Sequence, residues 1–255
     1  MRFHWVNPVL LISAAVLLPA CQTDMLTNRL SDVMKIGDTA VKSASLTDKD
    51  VSREAAASIK QMDKQNRVAG ANDPYSVRLR KITKPFKTVN GVPLDFKVYL
   101  TDDVNAFAMP DGSVRVFSGL MDQMGDDELL FVIGHEIGHV YHGHALEKMR
   151  LAHATTAARG SLTFFEGTLG QLAGSQMGGL AEGLINAQFS QAEEKQADDY
   201  GAEMLTKTGA PRSAAVTALT KLSNGQRLGP FSQFLSSHPD PLDRAERIEQ
   251  GIAAN

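Results

Sequence analysis

Polar and apolar positions along the chain repeat with two periods, one typical of helices and one typical of strands. Stretches with helical spacing begin with residue types that cap helices. They start at Thr47, Asp73, Asp126, Ser190 and Asp240. Residues 95–100 and 114–118 read as strands, with Asp111-Gly112 as a turn signal between them. The pattern predicts a mostly helical α+β fold with a small sheet.

The helix predicted from residue 126 carries a motif with chemical meaning. Its apolar stripe predicts that it is long and mostly buried. His-Glu-Ile-Gly-His occupies residues 135–139. Because a helix puts residues four apart on one face, His135 and His139 direct two imidazoles at one point, where a zinc ion would sit. Glu136 then serves as the general base for the attacking water, which predicts hydrolysis of amide bonds.

A catalytic zinc needs a third protein ligand. The helix opened by Ser190 carries Glu194 and Asp198 one turn apart, so that Glu194 is placed to ligate the ion and Asp198 to brace a histidine ring. On spacing alone, two ordinary exposed acids are the better explanation. For His135 and His139 the alternative is a hydrogen-bonded pair of core histidines.

Several segments, taken in order, resemble the HtpX-like zinc metallopeptidases, which are gluzincins with a glutamate ligand on a second helix. These segments are His135–His139, Phe189–Asp198, Asn105–Pro110, and His238-Pro239 with Arg244. The resemblance runs from about residue 75 to the C-terminus. It implies a zincin-like metallopeptidase domain with a small sheet beside the motif helix, and one zinc ion per chain held by His135, His139 and Glu194. It also implies Glu136 as the base and Asp198 as an acid that braces a ligand.

His238 and Arg244 match a pair that lies near the active site in this family. There, such residues can stabilise the oxyanion that forms as water attacks. A histidine near a catalytic zinc can instead occupy the open coordination position and shut the enzyme off. The spacing of the pair favours the donor role. His142 and His144 also follow the motif, but a continued helix rotates both off the face that the motif histidines share.

Asn105, Ala106 and Phe107 lie between the predicted strands and are predicted to bind substrate. An edge strand beside a metal cleft holds an extended peptide by backbone hydrogen bonds, which suits a peptidase with broad sequence tolerance. A hairpin that merely packs on the metal helix explains these residues equally well. Residues 160–183, rich in glycine and poor in charge, predict either a mobile helical segment over the cleft or near the membrane, or a packed helical hairpin.

The N-terminal residues predict an exported lipoprotein. An apolar run over 9–18, too short to span a bilayer comfortably, is followed by Leu18-Pro19-Ala20-Cys21, so residues 1–20 are predicted to be a signal peptide. Cys21, the one cysteine of the chain, would be acylated and anchor the mature N-terminus in a membrane. A free or buried thiol is the alternative. Gln22, in place of Asp, resembles the pattern of lipoproteins sent to the outer membrane.

The rest of the chain divides into a tether and a domain. Residues 21–45 have few large apolar side chains and predict a tether. Residues 46–255 predict a metallopeptidase domain, since 43% hydrophobic and 22% charged residues are an ordinary globular balance. A formal net charge of −3 gives no reason to expect a nucleic acid partner.

Together, these observations predict a lipid-anchored zinc endopeptidase at the periplasmic face of the outer membrane, with proteins or peptides as substrates. From the resemblance alone, the substrates would be misfolded or misassembled envelope proteins. An alternative from another class is a metal-bound envelope assembly factor or chaperone with latent proteolysis, whose partners would be assembly proteins. The enzyme is favoured because every catalytic position is kept.

Overall fold

The computed structural model describes residues 47–151, 188–224 and 231–253. The predicted signal peptide, Cys21, the tether and residues 160–183 lie outside the described residues. No helix in the described part of the chain is long and apolar enough to cross a membrane.

The described chain is a mostly helical α+β fold, as predicted. The elements before the second described range are α1 (Asp48–Gln65), α2 (Pro74–Thr83), β1 (Thr88–Val89), β2 (Val92–Pro93), β3 (Asp95–Tyr99), β4 (Ala106–Ala108), β5 (Ser113–Phe117), α3 (Ser118–Gln123) and α4 (Asp126–Tyr141). A further helical stretch covers 144–151. The later elements are α5 (Gln191–Thr208), α6 (Ser213–Asn224), α7 (Ser232–Ser237) and α8 (Pro241–Ala253).

The helix starts follow from the capping residues, with one correction. Thr47 and Ser190 form the capping boxes of α1 and α5, and Asp73 accepts a hydrogen bond at the start of α2. For α4, however, the N-cap is Gly125 rather than one of the three acids. The Glu128 carboxylate accepts from the Gly125 N–H at 2.7 Å, so the acids fill the first turn, where the helix dipole favours them.

The main sheet has the strand order β3-β5-β4 and is not a simple hairpin of the two predicted strands. β3 runs parallel to β5, and β4 pairs antiparallel with β5 on its other side. The turn between β4 and β5 uses Gly112, which has φ +87°; a Cβ there would lie 2.1 Å from the Pro93 carbonyl oxygen. The segment predicted to bind substrate therefore forms an outer strand of this sheet.

Helices cover both faces of the sheet. Val98, Val114 and Val116 point to the face covered by α4 and join the main core. The opposite face carries Tyr99 and Phe107, which pack with α1 in a second apolar cluster. The sheet is therefore the middle layer between α1 and the motif helix.

An ion pair fixes α1 to this opposite face. Arg115 of β5 is 1% exposed and donates to both carboxylate oxygens of Asp63 in α1, at 2.8 and 3.0 Å. Burial acts to raise the pKa of Asp63, but the bonds from Arg115 and Lys97 lower it to about 2. The carboxylate therefore stays charged at neutral pH and holds its partner.

Helices α4 and α5 approach each other closely because small residues line their contact. A Cβ on Gly134 would lie 2.9 Å from the Gly201 Cα, and one on Gly138 would lie 2.9 Å from the Ala197 Cα. Larger side chains at these positions would push the helices apart. This close contact sets the motif face of α4 against the first two turns of α5.

Candidate metal centre

Four side chains from three parts of the fold converge on one point. His135 and His139 come from α4, Glu194 from α5, and His238 follows α7 directly. All four are buried, and one potential ligand atom from each lies within 4.8 Å of the others. The two histidines that the motif predicted and the glutamate that the resemblance implied are thus brought together.

The spacing of these atoms fits a tetrahedral zinc ion. Bonds of about 2.0–2.1 Å place the ligand atoms of such an ion about 3.3 Å apart. His135 Nε2 and His139 Nε2 are 3.0 Å apart, and His139 Nε2 lies 3.4 Å from Glu194 Oε1. His238 Nδ1 lies 3.2 Å from His135 Nε2 and 3.0 Å from Glu194 Oε1. Nitrogen and oxygen donors in this arrangement are suited to a divalent cation.

Glu136 lies beside the donors and is not one of them. It is buried, and its Oε1 makes no hydrogen bond within the described residues. The nearest ionisable nitrogen is His238 Nε2, at 3.5 Å. Burial raises the pKa of Glu136 above its ordinary value. A carboxylate that is buried, weakly solvated and close to a metal site is suited to accept a proton.

Asp198, which the resemblance implied to be a bracing acid, contacts the first motif histidine. Its Oδ1 lies 3.0 Å from His135 Nδ1, which leaves Nε2 directed at the other donors. Asp198 and Glu194 are 0% and 1% exposed, so the explanation as two exposed acids is wrong. Burial acts to raise the pKa of Asp198, but Arg244 lowers it to about 2.

Arg244 contacts the carboxylates of the site. It donates to Asp198 Oδ2 at 2.9 Å and Oδ1 at 2.6 Å, and its Nη1 forms an ion pair with Glu194 Oε2. Burial acts to raise the pKa of Glu194, but His238, His135 and Arg244 lower it well below its ordinary range. These contacts fix the carboxylates in their charged form, whereas the oxyanion role of Arg244 stays a prediction.

Two phenylalanines hold the His238 ring in place. Phe189 and Phe234 stack on it at ring-centroid distances of 5.4 and 4.5 Å. Phe189 also stacks on His139 at 3.8 Å, and its N–H donates to the Ser237 carbonyl oxygen. The segment before α5 and the end of α7 are thereby tied together. We did not predict Phe189 as a site residue because an apolar side chain before a cap gives no chemical signal.

His144 lies outside the donor cluster, in keeping with the expectation that it is off the zinc-facing side, but it contacts the back of a motif histidine, which the sequence did not predict. Helix α4 ends at Tyr141, and Gly143, with φ +79°, turns the chain so that the next helical stretch begins at His144. His144 Nδ1 consequently lies 3.0 Å from His139 Nδ1. The glycine shortly after the motif was the signal for this turn. His142 is exposed, as a position off the shared face should be.

The predicted substrate-binding residues are buried. Asn105 Oδ1 accepts from the Ala106 N–H at 2.9 Å, while Asn105 Nδ2 is buried without a hydrogen bond within the described residues. Ala106 packs in the core with α4, and Phe107 packs on the opposite face. The side chains of these residues therefore do not face a substrate, and a role of the β4 backbone in peptide binding stays a prediction.

Comparison with known proteins identifies the class. The sequence profile of peptidase family M48 matches residues 78–252. The chain belongs to this family, which confirms the resemblance, and is a metalloprotease.

Individual relatives make the match more specific. The chain is 40% identical over 245 residues to metalloprotease YcaL of Escherichia coli (strain K12), covering 95% of each protein. It is 38% identical over 245 residues to metalloprotease LoiP of the same strain, covering 96% of this chain and 95% of LoiP. A beta-barrel assembly-enhancing protease of Yersinia pestis is 33% identical over 172 residues, which cover 61% of this chain and 34% of that protein.

Proposed function

We propose that this metalloprotease is a zinc-dependent endopeptidase, lipid-anchored in the outer membrane of a bacterium, which cleaves misfolded or misassembled envelope proteins. The observation that carries the zinc assignment is the buried four-donor cluster with Glu136 beside it. His135, His139 and Glu194 would hold the ion. When bound, zinc lowers the pKa of water and polarises the scissile carbonyl group.

Other residues of the chain would transfer the proton, orient the ligands and align the peptide. Glu136 takes a proton from the attacking water and passes it to the leaving amine. Asp198 fixes the orientation of His135, and Arg244 keeps Asp198 and Glu194 charged. The edge of β4 that faces away from β5 would align the peptide, and burial of the donors limits competing water.

His238 is proposed to close the site in the resting enzyme. The spacing of the residues alone favoured an oxyanion donor. However, Nδ1 of His238 lies among the ligand atoms at distances typical of a fourth zinc ligand. Phe189 and Phe234 hold the ring there. Such a closed site also fits the alternative function, an assembly factor whose proteolysis is latent.

His238→Ala is therefore expected to raise the basal rate of cleavage of a short unstructured peptide, because the fourth position becomes open to water. The measurement is kcat and KM for wild type and variant at equal zinc content. A matched control is His142→Ala, since His142 is exposed and lies outside the donor cluster. A fall in kcat in His238→Ala alone would instead assign the donor role.

The substrate class rests on the predicted export signal and on the names of relatives. One relative is named for enhancing the assembly of β-barrel proteins, a class found in outer membranes. To test this class, we suggest incubating the zinc-loaded enzyme with one β-barrel protein, either unfolded or folded in micelles. Mass spectrometry should detect products from the unfolded form alone. Equal cleavage of the folded form would contradict the proposal.

Cys21→Ser is expected to release the protein from membranes, because an unacylated N-terminus has no lipid to insert. The measurement is fractionation of cells, together with the mass of the N-terminal peptide. Gln22→Asp is the matched control: it keeps Cys21 and should stay acylated and membrane-bound. Recovery of Cys21→Ser in the membrane fraction after a high-salt wash would show that another segment anchors the chain.

A further inference from the structure

The two motif histidines have different partners behind them. Each directs Nε2 at the donor cluster, which leaves Nδ1 to be fixed by a neighbour. For His135 that neighbour is the Asp198 carboxylate. For His139 it is another imidazole, since His144 Nδ1 lies 3.0 Å from His139 Nδ1. His144 Nε2 in turn lies 2.8 Å from Gln196 Oε1 of α5.

Metal binding by His139 determines which atom donates and which accepts in each of these hydrogen bonds. If His139 binds the ion through Nε2, its other ring nitrogen carries the proton and must donate. His144 Nδ1 must then accept, so a neutral His144 carries its proton on Nε2. That N–H donates to Gln196 Oε1, which can only accept. The opposite arrangement, in which His144 Nδ1 donates to His139 Nδ1, is excluded because it would place the proton of His139 on Nε2, where the ion binds.

We propose that His144 and Gln196 are positioning residues that hold His139 in its metal-binding tautomer and orientation. This proposal rests on the proposed zinc function. His144 is buried beside the turn after α4, while Gln196 lies on α5, two residues beyond Glu194. The two hydrogen bonds, His139 to His144 and His144 to Gln196, form a relay. This relay connects the ligand His139 to α5, the helix that supplies Glu194. Hydrogen-bond partners behind a ligating histidine commonly contribute to metal affinity.

The direct test is zinc affinity, measured by competition with a chromogenic chelator. His144→Leu, which removes the acceptor, is expected to lower the affinity by about 10- to 100-fold. His144→Asn keeps a carbonyl oxygen near the position of Nδ1 and should retain most of the affinity. Gln196→Leu should cause a smaller loss. His142→Leu is the matched control, because His142 contacts Tyr141 and His144 but belongs to no donor set in the described chain.

A double variant tests whether Gln196 acts through His144. If it does, His144→Leu combined with Gln196→Leu binds zinc no more weakly than His144→Leu alone. Additive losses would overturn the relay. In the zinc-loaded wild type, long-range proton–nitrogen NMR should find the Nδ1–H tautomer for His139 and the Nε2–H tautomer for His144. An Nδ1–H tautomer for His144 would also overturn it.

Failure of this inference is distinct from failure of the proposed function. If the wild type binds no zinc, the zinc assignment itself is wrong. If the wild type binds zinc and folded His144→Leu binds it equally well, only the relay is wrong. Circular dichroism and thermal unfolding of each variant establish that it is folded before affinities are compared.

Discussion

Glu136→Gln is expected to give a folded protein that binds metal and hydrolyses peptides at least about 100-fold more slowly than the wild type. The substitution preserves the shape of the side chain and removes its ability to take a proton. Because Glu136 is outside the proposed ligand set, metal content should be unchanged. Loss of a general base typically costs about 10²–10⁴-fold in rate. The measurements are product formation by mass spectrometry and zinc per chain by elemental analysis.

The surroundings of Glu136 offer no obvious substitute for it as the base. Within the described residues, no hydrogen bond holds Oε1, and the other two carboxylates at the site, Glu194 and Asp198, both pair with Arg244. A suitable control is Glu203→Gln, an exposed acid of α5 that pairs with Lys207, which should keep wild-type activity. Turnover by Glu136→Gln at close to the wild-type rate, after chelation and reloading with zinc, would require a different base.

Glu194→Ala is expected to lose both metal and stability. Without this carboxylate, the donor cluster loses its one anionic donor, and His238 loses the contact with Glu194 that places its ring there, so a tight zinc site is not expected to form. The change also removes a negative charge from beside His238 and Arg244, both buried. Removing one partner of a buried ion pair costs roughly 3–5 kcal/mol. Zinc should therefore raise the melting temperature of the wild type and leave that of the variant unchanged.

The adjacent residue provides the control for this prediction. Glu193 belongs to the capping box at Ser190 and pairs with Lys148, outside the donor cluster. Glu193→Ala should lose about 1 kcal/mol of stability from the cap and keep its zinc. Glu194→Gln, which keeps the shape of the side chain, serves if the alanine variant does not fold. Zinc affinity in Glu194→Gln equal to that of the wild type would place the third ligand elsewhere.

The sequence predicted correctly those features that are determined within a single helix. The i, i+4 spacing of His135 and His139 fixes their common face, because helical geometry needs no tertiary information. The caps at Thr47, Asp73 and Ser190 were read correctly for the same reason. For Glu194, spacing favoured an exposed acid, and only the resemblance to a family identified it as a site residue.

Features that depend on how elements meet were not accessible from the sequence. The two bonds from Arg244 to Asp198 join residues 46 positions apart, and no periodicity links them. The parallel pairing of β3 with β5 depends on the path between them, so the alternation of residues could not distinguish it from a hairpin. The approach of His144 to His139 depends on a single turn at Gly143.

The attachment of α1 has a mechanical consequence. This helix is the first element of the described residues, and a pull on its start would act on the contacts that hold it to the sheet. The Asp63–Arg115 pair passes such a load to β5, on the opposite face of the sheet from α4. The ion pair would then resist shear between α1 and the sheet, and the sheet separates the pulled helix from the metal site. If the N-terminus is anchored in a membrane, as proposed, a pull on α1 would thus act on the sheet before it acts on the helix that carries the motif histidines.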